Sequence, residues 1–168
     1  GEIIDSILDG WKLVVDGGPL SKEPLMKTKF MLHDIKIHVD NVHRGPAQIY
    51  PATRLGAYEC MKKGNAAILE PIQTHLIEAP VDFMGAVTAL VSSKRGVLIN
   101  VHQEGIDTFI KARIPVAEMI GWSNDLRSAT EGRGVSSLID QDFKKLPSEL
   151  QFSVIEKIRN RKGLAKNQ

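Results

Sequence analysis

Residues 106–114, which read IDTFIKARI, decide the fold, because apolar and polar side chains alternate along them more regularly than anywhere else in the chain. One face carries Ile106, Thr108, Ile110, Ala112 and Ile114, and the other carries Asp107, Phe109, Lys111 and Arg113. A period of two residues is typical of a strand with one face buried and the other in water. The stretch therefore predicts a strand in a sheet that is covered on one side.

The segments on either side of this strand repeat one pattern of strand, helix and strand. The predicted elements are a strand at 70–78 (EPIQTHLIE), a helix at 80–93, a strand at 95–103 (RGVLINVHQ), a second helix starting at Pro115 and a fourth strand at 135–143. The order is βαββαβ, which is the split βαβ or ferredoxin-like arrangement. We expect an antiparallel sheet with 70–78 and 106–114 at its centre and two helices on one face.

The rest of the chain predicts a second, less regular module. Apolar residues at helical spacing predict a helix at 2–15, and the alternation in KTKFMLHDIKIHV predicts a strand at 27–39. A turn at 40–47 leads to a helix predicted from Pro51 to Lys63. The opening helix has an apolar face, and only one or two strands follow that could cover it. We therefore expect the chain to begin inside a domain.

These elements together predict an α+β protein. We expect one domain at 1–66 and a ferredoxin-like domain at 67–145. The remainder, 146–168, is expected to be a helix starting at Pro147 and a basic tail, packing back on the first domain. The apolar stripe predicted for this helix consists of Leu150, Val154, Ile155 and Ile158.

Composition is ordinary for a globular protein: 168 residues, 42% hydrophobic and 25% charged. The single cysteine, Cys60, cannot form an internal disulfide, which suits a reducing compartment. No apolar run approaches the roughly 20 residues needed to span a bilayer, and the first ten residues are acidic, unlike a signal peptide. We therefore expect a cytoplasmic protein with no membrane partner.

Several chemical signatures are missing from the sequence. It contains no G-x-x-x-x-G-K-[ST], no G-x-G-x-x-G after a strand, no C-x-x-C and no H-E-x-x-H. His33, His38 and His43 recur every five residues, and an odd spacing in a strand places neighbours on opposite faces, which disfavours a metal site. The sequence therefore predicts no metal and no nucleotide site.

Isolated polar residues have plainer interpretations. His75 and His102 are each expected to be a satisfied or exposed strand residue, and Cys60 in its helix a small buried hydrophobe. Glu70, Asp107, Lys111 and Arg113 are expected to be surface charges.

Charge is concentrated at the end of the chain. Within 144–168 lie seven basic residues (Lys144, Lys145, Lys157, Arg159, Arg161, Lys162 and Lys166) and two acidic ones (Glu149 and Glu156). Such a tail can bind phosphate backbones. The alternative is a solvated helix end whose cations complement the helix dipole, and this alternative is favoured because charge runs usually only solvate.

One stretch, HVDNVHRGPAQIYPATR at 38–54, resembles a known family. It is similar to the tip loop and following helix in the fourth domain of the translocase family of elongation factors 2 and G. EPIQTHLIEAP, SSKRGVL and GWSNDLRSATEGRG resemble, in the right order, segments of the family's fifth domain, and the run from Asp125 to Gly132 is shared widely with elongation factor G. Gly-Pro-Ala at 45–47 resembles archaeal rather than eukaryotic members.

The resemblance implies a fold and a site. It implies a partial ribosomal-protein-S5-like module followed by the ferredoxin-like sandwich. His43 matches the histidine that is modified to diphthamide and is the target of ADP-ribosylating toxins. The implied ribosome-contacting and RNA-contacting residues are Asp40, His43, Arg44, Gly45 and Gln48 in the tip, and Asp125, Arg127 and Arg133 in the fifth domain. For the last three, capping and local ion pairing at a helix end is an equally favoured interpretation.

The resemblance also implies partners and a role. The implied partners are the small-subunit decoding region with its tRNA–mRNA duplex, the stalk base of the large subunit, and the diphthamide-synthesis enzymes. The implied role is ribosomal translocation in protein biosynthesis by a C-terminal fragment that is itself no enzyme and holds no cofactor. GTP and magnesium belong to a nucleotide domain absent from this sequence. The alternatives are a stand-alone ferredoxin-like ligand-binding or regulatory domain, and a fragment of a paralogous translational or splicing GTPase.

Overall fold

The predicted sheet exists and has the predicted strand order. Its strands are Leu69–Pro80 (β1), Val97–Glu104 (β2), Asp107–Pro115 (β3) and Val135–Lys145 (β4). They lie side by side in the order β2-β3-β1-β4, and every neighbouring pair is antiparallel. The two central strands are therefore the two that the sequence predicted to be central.

Two helices, Met84–Ser93 (α3) and Trp122–Ala129 (α4), cover one face of this sheet. Short 3₁₀ turns at Val81–Phe83 and Val116–Glu118 precede α3 and α4. The buried core they form with β1 and β3 consists of Ile77, Ala79, Val87, Val91, Ile110, Ala112, Ile114, Trp122 and Leu126. The predicted α+β class and βαββαβ order are confirmed.

The alternation that predicted β3 is confirmed almost throughout. Ile110, Ala112 and Ile114 are fully buried, and so is Thr108. Ile106 is the exception: it lies in the turn before β3 and is 78% exposed. Pairing in the sheet determines which side chains of β3 are buried. Ile106 lies in the turn before the strand, so the alternation does not extend to it.

The computed structural model describes residues 2–165, and contacts among them divide the chain into two units. Unit 1 is the described part of Gly1–Ile68 and Pro147–Gln168, and unit 2 is Leu69–Leu146. Unit 1 contains the helices Glu2–Asp16 (α1), Pro46–Lys63 (α2) and Ser148–Arg161 (α5) and a 3₁₀ turn at Asn41–Arg44. Lys166 of the predicted basic tail lies outside the described residues.

The strand predicted at 27–39 is wrong. Residues 28–38 have no regular secondary structure, and several of their apolar side chains are exposed, among them Met31, Leu32 and Ile37. A strand needs a partner to accept and donate its backbone hydrogen bonds. Within the described part of unit 1 there is no other strand, so an alternating sequence had nothing to pair with.

The helix predicted from Pro51 begins earlier, at Pro46. Pro46 occupies the first turn, where a proline costs no hydrogen bond, and Pro51 lies inside the helix. The predicted start was wrong because either proline can begin a helix, and the helix begins at the first of the two.

Close helix packing and polar contacts hold unit 1 together. Gly10 of α1 is buried against α2, where an added Cβ would lie 3.1 Å from the Cβ of Thr53. Helix α5 holds the loop after α1: Arg159 donates to the carbonyl of Leu20 at 2.7 Å, and Lys162 donates to that of Lys22 at 2.8 Å. The four residues of the predicted α5 stripe are half-buried.

Candidate functional site

The tip is a short turn between the irregular segment and α2. Asp40 caps the 3₁₀ turn, because its Oδ1 accepts a hydrogen bond from the backbone N–H of Val42 at 3.0 Å. The backbone N–H of His43 donates to the Asp40 carbonyl at 3.2 Å. Gly45 then caps α2, and its carbonyl accepts from the backbone of Gln48 at 3.0 Å. The turn is thus defined on both sides by its own hydrogen bonds.

His43 stands at this turn with an exposed side chain. Its ring meets the ring of His38 edge-on, with centroids 4.7 Å apart and planes at 73°. The backbone N–H of Asp40 donates to Nδ1 of His38 at 3.1 Å. Nδ1 of His38 is therefore an acceptor, which assigns the ring proton of neutral His38 to Nε2. An exposed imidazole thus rests on a second imidazole whose orientation is fixed.

Arg44 lies differently from His43, since its guanidinium turns back toward the chain. Nε donates to the carbonyl of His38 at 2.6 Å, and Nη2 donates to the carbonyl of Val39 at 2.9 Å. The side chain is half-buried. The sequence predicted this arginine as a contact for RNA, and the structure places it on backbone carbonyls of its own turn.

Five of the predicted site residues thus lie together in this one turn and the start of α2. They are Asp40, His43, Arg44, Gly45 and Gln48. Beside His43, two apolar side chains point into solvent, with Val39 91% and Val42 76% exposed. The tip therefore combines donors, one positive charge and a small apolar surface, a mixture that suits contact with RNA backbone and bases.

The remaining three predicted residues belong to α4 and the turn after it. Asp125 forms an ion pair with Lys94, whose Nζ lies 2.8 Å from Oδ2 of Asp125. The guanidinium of Arg133 lies over the ring of Phe83, 4.5 Å from the ring centroid. Arg127 is exposed in the last turn of α4. For Asp125 and Arg133 these contacts agree with the interpretation of local pairing.

The strongest charge cluster is one that the sequence did not predict. Arg95 binds Glu70 through two hydrogen bonds, of 3.1 and 2.9 Å, and binds Glu118 at 2.9 Å. Glu70 is buried, so its interpretation as a surface charge was wrong. The hydrogen bonds that Arg95 donates to Glu70 and, to a smaller extent, to Glu118 raise the pKa of Arg95 above its ordinary value, against the effect of burial. The cluster ties β1, the turn before β2 and the turn before α4 together.

In the sequence, the only sign of this charge cluster is the arginine–glycine step at residues 95 and 96. Arg95 has a left-handed backbone with a φ of 53°. The following Gly96 comes so close to α3 that an added Cβ would lie 2.6 Å from Val91 Cγ1. A glycine required at that contact fixes the turn, and the turn directs Arg95 at Glu70. The spacing of these residues in the sequence does not reveal that Arg95 contacts Glu70.

His75 is a satisfied core residue, one of the two outcomes expected. Its Nδ1 lies 2.9 Å from Oγ of Ser136, and its Nε2 lies 3.1 Å from Oε1 of Gln73. Trp122 donates its indole N–H to the same Ser136 hydroxyl at 3.1 Å. Burial lowers the pKa of His75. Because the amide oxygen of Gln73 can only accept, Nε2 of neutral His75 donates to it, which leaves Nδ1 to accept a hydrogen bond from the Ser136 hydroxyl.

Other candidates are resolved more simply. Cys60 is exposed on α2, so its predicted burial was wrong. His102 is exposed on β2. Within the described range 2–165, no three His, Cys, Asp or Glu side chains are grouped so that they could hold a metal ion. Over the same residues, no helix has the length and apolar character needed to cross a membrane.

The basic end of α5 is divided between two roles. Arg159 and Lys162 are occupied by the loop after α1, and Lys162 also pairs with Glu23 at 2.6 Å. Lys157 and Arg161 are exposed. Part of the run that could have bound phosphates is therefore structural.

Comparison with known proteins divides the chain between residues 65 and 67, close to the boundary between the two units. The family model described as "Elongation factor G, domain IV" matches residues 1–65, and "Elongation factor G C-terminus" matches 67–154. Elongation factor 2 of Thermococcus onnurineus and that of Pyrococcus abyssi are each 46% identical over 166 residues. Elongation factor 2 of Thermococcus gammatolerans is 45% identical over the same length.

In each case the match covers 99% of this chain and 23% of the relative. The chain therefore spans about a quarter of the length of these curated relatives. With its tip turn in the part that matches domain IV and its sheet in the part that matches the C-terminus, the chain belongs to the elongation factor G family.

Proposed function

We propose that this chain is the ribosome-contacting C-terminal part of a translational GTPase that promotes translocation of tRNA and mRNA. The observation that carries the proposal is His43, exposed on a turn that its own hydrogen bonds define. A defined turn loses little entropy on docking, so it can place an imidazole against an RNA duplex at low cost. The tip would enter the decoding region beside the tRNA–mRNA duplex.

Within this proposal the contacts divide between the two units. Asp40, His43, Gly45 and Gln48 would face RNA through donors, acceptors and close backbone approach. Arg127, exposed at the end of α4, would be the main contact of unit 2 with the stalk base, and Asp125 and Arg133 would shape the surface around it.

We also propose that His43 is modified to diphthamide in the native host and is open to ADP-ribosylating toxins there. The exposure of its ring suits attack by modifying enzymes. GTP and magnesium would bind a nucleotide domain outside this sequence, and the parent factor would act in the cytoplasm. Intact-mass measurement of native protein tests the modification: a mass equal to the unmodified sequence would contradict it.

The test of the proposed function uses the full-length factor with its cognate ribosomes. His43→Gln should slow single-round translocation several-fold and leave ribosome-stimulated GTP hydrolysis unchanged, because the tip acts on the duplex and not on the nucleotide. The matched control is His33→Gln, which changes an exposed histidine outside the turn. A His43→Gln factor that translocates as fast as the His33→Gln factor would overturn the proposal.

A further inference from the structure

Arg44 makes contacts that a residue reserved for RNA would not need. Two N–H groups on one edge of its guanidinium donate to the carbonyls of two successive residues, His38 and Val39. Hydrogen bonds from a charged donor are roughly twice as strong as neutral ones, and the planar fork makes two of them from one rigid group. A phosphate contact through the same edge would have to break both bonds.

The residues that Arg44 holds are the ones on which His43 depends. His38 supplies the first carbonyl, and its ring is the surface against which the ring of His43 lies. The same ring accepts from the backbone of Asp40, the residue that caps the turn. Holding the His38 backbone therefore holds the platform of His43 and the start of the turn together.

Apolar packing cannot replace these bonds at the tip. Val39 and Val42 are 91% and 76% exposed, and His43 and Asp40 are exposed as well. With no buried side chain in the turn to anchor it, its order depends on polar contacts, and besides the Asp40 cap the charged group that supplies them is Arg44, with two hydrogen bonds from one guanidinium.

We propose that Arg44 is a positioning residue, which braces the tip from inside and keeps His43 on the His38 ring, rather than a direct contact for nucleic acid. This inference rests on the proposed function for its biological meaning, and on the geometry alone for the brace. It assigns the recognition surface to His43 and its exposed neighbours.

The brace is tested first in the 168-residue chain by NMR. Arg44→Ala and the charge-matched Arg44→Lys should both change the ring-current shifts of the His43 ring protons and increase the fast motion of backbone amides 39–44. The matched control, Arg54→Ala, removes an exposed arginine of α2 and should do neither. Unchanged amides in unit 2 verify that each variant is folded. An unaltered His43 ring and tip in Arg44→Ala would overturn the brace.

The second arm asks whether Arg44 also contacts phosphate. It measures how ribosome binding by the full-length factor depends on salt. A lost phosphate contact lowers the salt slope by about one, whereas a lost brace weakens binding with the slope unchanged. We expect Arg44→Ala to bind several-fold more weakly with an unchanged slope, and Arg44→Lys to fail to restore binding. A slope reduced by about one, or full rescue by lysine, would refute the positioning role.

The two proposals fail in distinguishable ways. If the Arg44→Ala tip is disordered by NMR and the full-length variant still translocates at the normal rate, the brace is supported and the role of the tip in translocation is contradicted. If the tip stays ordered, the brace is wrong whatever the translocation rate.

Discussion

Unit 2 has a buried apolar core, whereas the described part of unit 1 buries few of its apolar side chains, although both units leave others in solvent. In unit 2, Ile77, Ile110 and Ile114 are fully buried between the sheet and its two helices. In unit 1, Leu32 and Leu55 are 61% and 59% exposed. Both units carry similar apolar residues, so composition does not explain the difference. Four paired strands give unit 2 a continuous surface to cover, and the described part of unit 1 offers helices and an irregular segment.

The difference teaches how each unit gains its order. Unit 2 is stabilised by burial, which is proportional to the apolar area removed from water. The loop after α1 and the tip of unit 1 depend on individual polar contacts, such as those of Arg159 and Arg44. Unit 1 should therefore tolerate the loss of single apolar groups and be destabilised sharply by the loss of single hydrogen-bond donors.

The largest expected effect comes from the core of unit 2. Ile110→Ala should lower the free energy of unfolding of unit 2 by about 2–5 kcal/mol, because it leaves a cavity beneath α3 and α4. The matched change in unit 1, Ile37→Ala, removes a side chain that is 48% exposed and should cost less than about 0.5 kcal/mol.

The two tryptophans make this comparison measurable, since Trp11 belongs to unit 1 and Trp122 to unit 2. Urea unfolding of Ile110→Ala in a Trp11→Phe background, and of Ile37→Ala in a Trp122→Phe background, reports each unit separately. Equal losses from the two substitutions would contradict the contrast between the units.

A smaller effect tests whether unit 2 also depends on a polar contact. Arg95→Ala should destabilise unit 2 by about 3 kcal/mol, because it leaves the buried Glu70 carboxylate without its partner. The control is Arg113→Ala, which removes an exposed arginine of β3. Glu70→Gln in the Arg95→Ala background should recover part of the loss. An Arg95→Ala protein as stable as the control would mean that the cluster adds nothing to burial.

The smallest effect concerns pH. Burial lowers the pKa of His75, so the folded unit holds the neutral ring and the unfolded chain takes up a proton more readily. This contribution to stability is complete above the ordinary histidine pKa of 6.5 and is lost as the pH falls from there through the folded pKa. Protonation would also remove the acceptor that Ser136 uses.

Urea unfolding of unit 2 between pH 5 and pH 7.5 measures this term. His75→Gln should flatten the dependence below pH 6.5, and His102→Gln, which changes an exposed histidine, should leave it unchanged. The same steep dependence in the His75→Gln protein would show that other groups cause it.

Much of unit 2 could be predicted from sequence because its signals are local and agree with one another. Alternation predicted the faces of β3, and helix spacing with Pro80 located α3 within a few residues. The start predicted for α4 at Pro115 was wrong: a 3₁₀ turn at Val116–Glu118 follows that proline, and α4 begins at Trp122. The tip turn was also found, because His43, Gly45 and Pro46 interrupt a regular pattern. The strand at 27–39 was predicted by the same reasoning and is absent, since alternation states a preference and not the presence of a partner strand.

The sequence by itself determined the class, the strand order, the family and the residues of the tip. Only the tertiary structure decided what those residues touch. It turned Arg44 inward to two carbonyls, buried Glu70 beneath Arg95, and left Cys60 in solvent. The physical reason is range: periodicity and turn chemistry act between residues a few positions apart. The partner of a charge is chosen among groups that the fold brings together, and Glu70 and Arg95 are separated by a helix and most of a strand.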